Sequence, residues 1–528
     1  MDRIQDKNYL FITGACIFSC VFYLIFEYIF TNGQMGVPLD DTWIHFQFAD
    51  NFAKGYFYQY NPGEYTAGTT SPLYVIVLGT MSLIIKNFFL SSVFLSSIFY
   101  LLSCIFIYKI SLIIFKDTGV LTGLLSASGI TPEYISLLTA LLTAFTGRIV
   151  WSALSGMETT MFMFFCILGI YYHIKNLRSG KFSFLPPLFF SLAAASRPEG
   201  YLLFAIYLID TAANLIKVKA FKANALKLFF AVMIFAIITF PYLLFSYSVS
   251  GHFFPNTFRG QGGGLSLIPN FNYLRIALIY FFRDNFITGS LYIFSVIFYI
   301  YNIKKYFREL KLLNLMFLWT LLLPLVMSVL IPNWRHHVRY LIPLLPFVNL
   351  IAFYVLFRLI EMDILLRLKQ VVLNKKSLLN AIILFSFIYY IVYAVALGRN
   401  TDNINSQQVK LAEWVRDNVG RNETIALNDI GAITFINKNR IIDMAGLVTP
   451  EILKYRTYTW DDNLDSINYL LKKNNVSYII IYDEWFKEYL NKYGNTLTYV
   501  TSAVLEDNTI CGGIEMKVYK TNFKRKED

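Results

Sequence analysis

The 528-residue chain predicts a polytopic α-helical membrane protein of about eleven transmembrane helices, followed by a C-terminal extracytoplasmic α/β domain. Three observations predict it. Hydrophobic residues make up 56% and charged residues 15%, with a mean hydropathy of +0.50, whereas soluble domains carry about 25% charge. Apolar runs long enough to cross a bilayer recur between charged loops. Past residue 397 these runs stop, and short strand and helix patterns take over. The same composition argues against a soluble enzyme and excludes a disordered chain, a collagen and a disulfide scaffold.

The expected spans are 9–30, 88–115, 134–150, 157–174, 183–196, 199–216, 228–247, 287–303, 312–331, 340–358 and 378–397. The first is too long for a signal-peptide core and reads as a retained helix. Segment 71–86 is expected as a helix lying partly in the outer interface. The division is therefore 1–397 for the transmembrane part, with a first outer loop at 31–87, and 398–528 for the tail.

Charge sets the expected orientation. Residues 1–397 hold 29 Lys+Arg against 16 Asp+Glu, and the tail holds 17 against 18. With the N-terminus in the cytoplasm, 20 of the 29 basic residues fall in cytoplasmic loops, as the positive-inside rule requires. Eleven spans then place the tail outside. The tail carries no basic stripe, so no nucleic-acid partner is expected. Only Cys511 of the five cysteines lies in it, which excludes a disulfide within the tail, and no CxxC pair suggests a metal.

The kind of basic residue also differs between the two sides. Five of the 20 inner residues are Arg, against seven of nine outer ones: Arg148, Arg197, Arg259, Arg275, Arg283, Arg335 and Arg339. A planar guanidinium suits bidentate capture of phosphate or carboxylate in a poorly hydrated site. Pairing with Glu158, Glu199 and Asp284 is the competing use.

In the tail, Gln408–Val419 has helical spacing and stops at Gly420. Thr424–Leu427 reads as a strand, Ile430–Ile436 as a short helix, Arg440–Met444 as a strand, Ile467–Lys473 as a helix and Val476–Ile481 as a strand. The turn Asn428-Asp429-Ile430-Gly431 is not a GxGxxG loop, so no dinucleotide is implied. Asp429 either reaches toward the membrane part or caps the Ile430 helix, and capping is the favoured use.

Chemistry concentrates after the first span, at Leu39-Asp40-Asp41-Thr42-Trp43-Ile44-His45. Two carboxylates at the outer end of a membrane helix are costly unless solvated, paired or used. Their proximity should raise one pKa, a preparation for a general base. One Asp would suffice to cap the helix expected at 41–54. Asn333-Trp334-Arg335-His336-His337-Val338-Arg339-Tyr340 puts two arginines and two histidines in one outer loop, suited first to phosphate or acceptor binding, next to interfacial anchoring and least to a metal, since no carboxylate lies near. Arg197 and Glu199 flank Pro198, and Glu158 begins a span. Arg259 sits among four glycines, a composition that suits a mobile loop.

These motifs resemble those of bacterial membrane glycosyltransferases of the GT-C superfamily, closest to an arabinofuranosyltransferase-like group. The resemblance runs through Leu39–Ile44, Asn61-Pro62-Gly63-Glu64, Thr70-Ser71-Pro72-Leu73, Leu154–Thr159, Ser196–Gly200, Pro255–Phe258 and Arg339–Pro343, and ends at Asp429–Ile433 and Ile442–Val448. It implies an inverting hexosyl- or pentosyltransferase of the bacterial cytoplasmic membrane. Such an enzyme moves a sugar from a polyprenyl-phosphate carrier to a glycan, glycolipid or protein acceptor outside the cytoplasm. No cofactor is firmly implied, and the help of a divalent cation is left open. The base maps onto Asp40 or Asp41, and the donor phosphate onto Arg335, His336, His337, Arg339, Arg197 and Arg259. His45, Glu158, Glu199 and Asp429 are further candidates. The rival classes are a lipid-linked-sugar transporter or flippase, which would need repeated halves that the sequence lacks, and a non-catalytic envelope-assembly scaffold.

Overall fold

The computed structural model describes residues 2–117, 130–215, 221–256, 268–361, 375–455 and 463–523. Long apolar runs become helices because a continuous helix satisfies every backbone polar group internally. Among the described residues, four helices are long and apolar enough to cross a membrane: Gln5–Phe30, Phe88–Asp117, Ala225–Ser250 and Arg335–Leu359. A fifth span would be the pair Pro132–Ala144 and Gly147–Leu154, bent by 55° at its break. Its first half opens on a Thr131 side chain that accepts from the Tyr134 N–H, with Pro132 at the first helical position.

Each of the other expected spans is a helix as well, but a shorter one or one with more polar residues. These are Thr159–Ser179, Leu185–Ser196, Glu199–Leu215, Phe286–Tyr301, Asn314–Leu330 and Lys375–Ile404. Helix Lys375–Ile404 runs seven residues past the expected end at 397, so the chain enters the tail without a loop. One helix, Phe271–Asp284, has no counterpart among the expected spans, because Asn272, Arg275 and Arg283 interrupt its apolar pattern.

The tail folds into a five-stranded sheet of order β2-β1-β3-β5-β4. Strands β1 (Thr424–Leu427), β2 (Ile441–Asp443) and β3 (Val476–Ile481) are parallel, and their near-continuous apolar runs are almost wholly buried. Strands β4 (Leu497–Val504) and β5 (Glu515–Thr521) add antiparallel to β3. The parallel strands end at Leu427, Asp443 and Ile481, so their carboxyl edge offers Asn428, Asp429, Asp443 and Tyr482. This is the edge at which open α/β sheets commonly bind ligands.

The segment 31–87 clamps this domain onto the helices. Helix Asp40–Ala53 lies between helix Pro72–Ser82 and helix Gly431–Asn437, and Trp43 and Phe46 pack tilted and edge-on against Phe435 with ring centroids 5.5 and 5.7 Å apart. Tyr60 donates its hydroxyl to the Ile430 carbonyl at 2.7 Å. Asn61 bonds the backbone of Ile441 in both directions, its amide donating to the carbonyl and its oxygen accepting from the N–H, each at 3.0 Å. Buried polar pairs of this kind fix one register between two surfaces.

Candidate functional site

Asp40 and Asp41 open the helix Asp40–Ala53, whose N-cap, Leu39, brings no side-chain oxygen. Successive helical residues point about 100° apart, so the two carboxylates serve different neighbours. The Asp40 carboxylate accepts from the Gly431 N–H at 2.7 Å and the Ala432 N–H at 2.8 Å. It therefore caps a helix of the C-terminal domain from 391 residues away. Gly431 is required here, since a Cβ would sit 2.2 Å from the Asp40 carbonyl oxygen. Burial, with the nearby Asp429 charge adding, pushes the Asp40 carboxyl up to about 8 against those two N–H bonds.

Asp41 faces the other way. Arg339 donates from Nη2 to its Oδ2 at 2.6 Å, and its side chain keeps 35% of its exposure. Burial would raise this carboxyl, but the Arg339 guanidinium, with His336 and His45 nearby, overrides it and holds Asp41 below the usual carboxylate value. The adjacent pair thus divides into an acid that titrates near neutrality and a carboxylate that stays charged, the kind of split that acid–base sites exploit.

Arg339 is buried, with 6% of its surface exposed, and its Nε and Nη1 have no hydrogen-bond partner. It follows three residues in left-handed backbone: His336 (φ 54°), His337 (φ 59°) and Val338 (φ 53°). Such a conformation is unusual for any non-glycine residue and most of all for β-branched valine, at about 1–3 kcal/mol each. The strained turn stands at the start of the Arg335–Leu359 span, directly before the buried Arg339. Backbone strain of this kind concentrates at functional sites.

Two cavities meet at the Asp41–Arg339 pair. One, of about 220 Å³, runs among the helices and is lined by Leu323, Val326, Met327, Leu330 and Ile331, with Thr69, Thr70 and Tyr201. The other, of about 1130 Å³, lies under the C-terminal domain, lined by Trp334, Arg335, His336, Asp429, Asp443 and Trp485. Asp41, Ile44, Arg339 and Leu447 line both.

The first cavity has a polar wall that is already paired. Arg197 donates to Glu158 and, from Nη2 at 2.8 Å, to Glu199, while His45 Nε2 lies 3.1 Å from Glu158. The competing use of the arginines as structural partners therefore holds for Arg197, and also for Arg148, which is paired with Asp284 and donates to the His337 carbonyl. His337 lines neither cavity: its ring packs edge-on against Trp151 and Tyr393, and its Nε2 lies 3.0 Å from the Asn400 amide. Arg335 lies over the Trp485 ring at 5.4 Å. Arg259 and its glycine-rich loop lie outside the described residues.

Asp429 does not cap the short helix as expected; Asp40 does. Instead Asp429 accepts from Gln408 Nε2 and the Tyr482 hydroxyl, both at 2.9 Å, and burial raises its carboxyl. Asp443 accepts from the Ala445 and Val448 N–H groups, and burial pushes it up to about 6 despite them. That turn presents the Leu447 carbonyl to Asn256, whose own N–H donates to Ala67. Among the described residues no group of three or more His, Cys, Asp or Glu is placed to hold a metal. Asp40, Asp41, Asp429 and Asp443 are taken up by backbone N–H groups, Arg339, Gln408 and Tyr482.

Gly431, Gln408, Tyr482, Trp485 and Asn256 all shape the site, and Asn256 and Gly431 alone lay within noted motifs. Gln408 and Tyr482 carry no local signal, because their partner Asp429 is a tertiary neighbour.

Comparison with known proteins bears on the fold. A family model for a domain of unknown function, DUF8728, matches residues 402–519. No curated protein matches. Among solved structures, the chain is similar to ArnT from Cupriavidus metallidurans bound to undecaprenyl phosphate, with a TM-score of 0.57 and 10% identity over 96% of this chain and 98% of that one. It is similar to the archaeal oligosaccharyltransferase AglB from Archaeoglobus fulgidus, in complex with an inhibitory peptide and a dolichol-phosphate, with a TM-score of 0.57 and 11% identity over 89% of this chain and 69% of that one. The helices, the segment 31–87 and the C-terminal sheet thus share the fold of these two solved structures, and four of the described helices are long and apolar enough to cross a membrane.

Proposed function

We propose that the chain is an inverting glycosyltransferase of a bacterial cytoplasmic membrane, using a polyprenyl-phosphate sugar and an extracytoplasmic glycan, glycolipid or protein acceptor. One observation carries the reading: Asp41, charged and accessible, meets a buried Arg339 with unspent donors where an apolar cavity opens into a polar one. The donor phosphate and sugar fit the apolar cavity, with the prenyl chain left in the bilayer. The acceptor comes through the wider cleft beneath the C-terminal domain. Asp41 takes the proton from the acceptor hydroxyl as that oxygen bonds to the anomeric carbon. The bond from that carbon to the phosphate oxygen breaks, and its electron pair leaves on the phosphate, whose growing charge Arg339 stabilises. A single displacement inverts the anomeric centre.

The fold likeness supports a lipid-linked donor, since ArnT was solved with undecaprenyl phosphate and AglB with dolichol-phosphate. The motif resemblance supports a hexosyl or pentosyl group. Eleven spans, a cytoplasmic N-terminus and an outer C-terminal domain from about residue 398 follow the charge distribution. In this reading Asp40 holds the C-terminal domain and Asp41 does the chemistry. Replacing Asp41→Asn is expected to cut sugar transfer by about 10²–10⁴-fold with the fold intact. Asp40→Asn keeps one acceptor oxygen and should cost less than tenfold. Transfer assays on both variants decide, and undiminished turnover in Asp41→Asn overturns the assignment.

A further inference from the structure

The geometry points to a second role for Arg339: we infer that the arriving donor phosphate shares this guanidinium with Asp41 and thereby turns Asp41 into an effective base only when the donor is present. The inference rests on the reading of Asp41 as base and of a phosphate-linked donor.

The argument begins with what Arg339 has left to give. A guanidinium carries five N–H donors in a planar fork. Here Nη2 is engaged by Asp41 at 2.6 Å, while Nε and Nη1, both buried, have no partner. Arg197, on the same cavity, differs: its three nitrogens all reach Glu158 or Glu199. The guanidinium therefore keeps capacity for a second anion: a phosphate drawn from the apolar cavity to Arg339 would take Nε and Nη1, now enclosed in the cavity wall, with the Asp41 bond kept. One cation then serves two anions.

The groups around Asp41 can be named from every side. Its own helix offers Asp40 and His45, the loop before Arg339 offers His336, and the C-terminal domain offers Asp429. Glu158 acts on Arg339 from the helix Thr159–Ser179 side. Arg339 is the fixed positive charge bonded to Asp41, while Arg335 acts on His336 and Asp429 from the same cavity. Without a donor Arg339 dominates, and Asp41 stays charged but weakly basic. A phosphate draws on that charge and itself faces Asp41 as a second anion. Both effects raise proton affinity, since an opposite charge nearby lowers a carboxyl by about one to three pH units and its loss restores them.

The consequence is an order of events. The acceptor hydroxyl loses its proton to Asp41 only after a phosphate occupies the neighbouring cavity. Proton abstraction is then tied to the presence of the bond that will break.

The test uses the full-length protein in detergent with undecaprenyl phosphate as probe. Native mass spectrometry first establishes that the carrier binds. Carbodiimide modification of Asp41, which needs the protonated carboxyl, is then followed by peptide mass spectrometry across pH. The midpoint should move up by roughly one pH unit or more when the carrier is bound. In Arg339→Gln it should already be raised, and adding carrier should move it less than in the wild type. A bound carrier with an unmoved wild-type midpoint overturns the inference and leaves the donor reading standing. If the carrier fails to bind the wild type, the donor reading falls, and the inference with it. The wild-type arm decides even where Arg339→Gln does not fold.

Discussion

Arg197 and Arg339 stand on the same cavity and have opposite economies. Arg197 is saturated by two buried carboxylates, and the cluster is closed by His45. Arg339 has a single carboxylate and two unspent nitrogens. A buried ion pair with every donor matched is a structural brace, and removing one member leaves an uncompensated charge. A buried cation with donors to spare is a receptor waiting for an anion. Charge and burial alone do not separate the two arginines. The count of satisfied donors does, and so the proposed function gives the phosphate to Arg339 and not to Arg197.

The largest expected effect breaks this contrast directly. Arg197→Met strands Glu158 and Glu199 and should destabilise the protein by about 3–5 kcal/mol, seen as a drop in thermal unfolding temperature or in yield of folded protein. Arg339→Lys should leave unfolding nearly unchanged. It keeps the charge but loses the fork, and should weaken donor binding by about ten- to a hundredfold in a titration with the carrier phosphate. Equal unfolding temperatures for the two variants would remove the distinction.

A pH profile sharpens the parallel contrast between Asp40 and Asp41. A base must be deprotonated, so activity is lost as pH falls through its pKa. Asp41 is held low and should leave kcat/KM level between pH 9 and about 6.5. Asp40, pushed up to about 8, would instead give a loss of about tenfold per unit below that value. A profile with that limb would move the base to Asp40.

The smallest effect concerns the clamp. Gly431→Ala drives a Cβ into the Asp40 carbonyl and should loosen the C-terminal domain by about 1–3 kcal/mol. Limited proteolysis after the helix Lys375–Ile404 measures it, and unchanged cleavage would show that the contact yields without cost.

Much of this architecture can be read locally. Strands β1 and β3 have the expected bounds, because short β-branched runs between charged residues carry their own signal. The helix Asp40–Ala53 and the acid pair are equally plain. Strands β4 and β5 have no such signal: β4 is an edge with exposed Tyr499, Val500 and Val504 and alternates weakly. The division of labour between Asp40 and Asp41 was out of reach as well. It depends on Gly431 and Arg339, which are neighbours only in three dimensions, and nothing within ten residues of the pair distinguishes one carboxylate from the other.

The left-handed turn at His336, His337 and Val338 has a last implication. A loop held in its lowest-energy shape would let Arg339 sample many positions. This one behaves like a sprung bracket, with a few kcal/mol stored just ahead of the arginine and surrounding packing as the anchor. Any substitution that lets the spring uncoil would relieve local tension and unseat the guanidinium, so greater comfort in the backbone and lower competence at the cavity would arrive together.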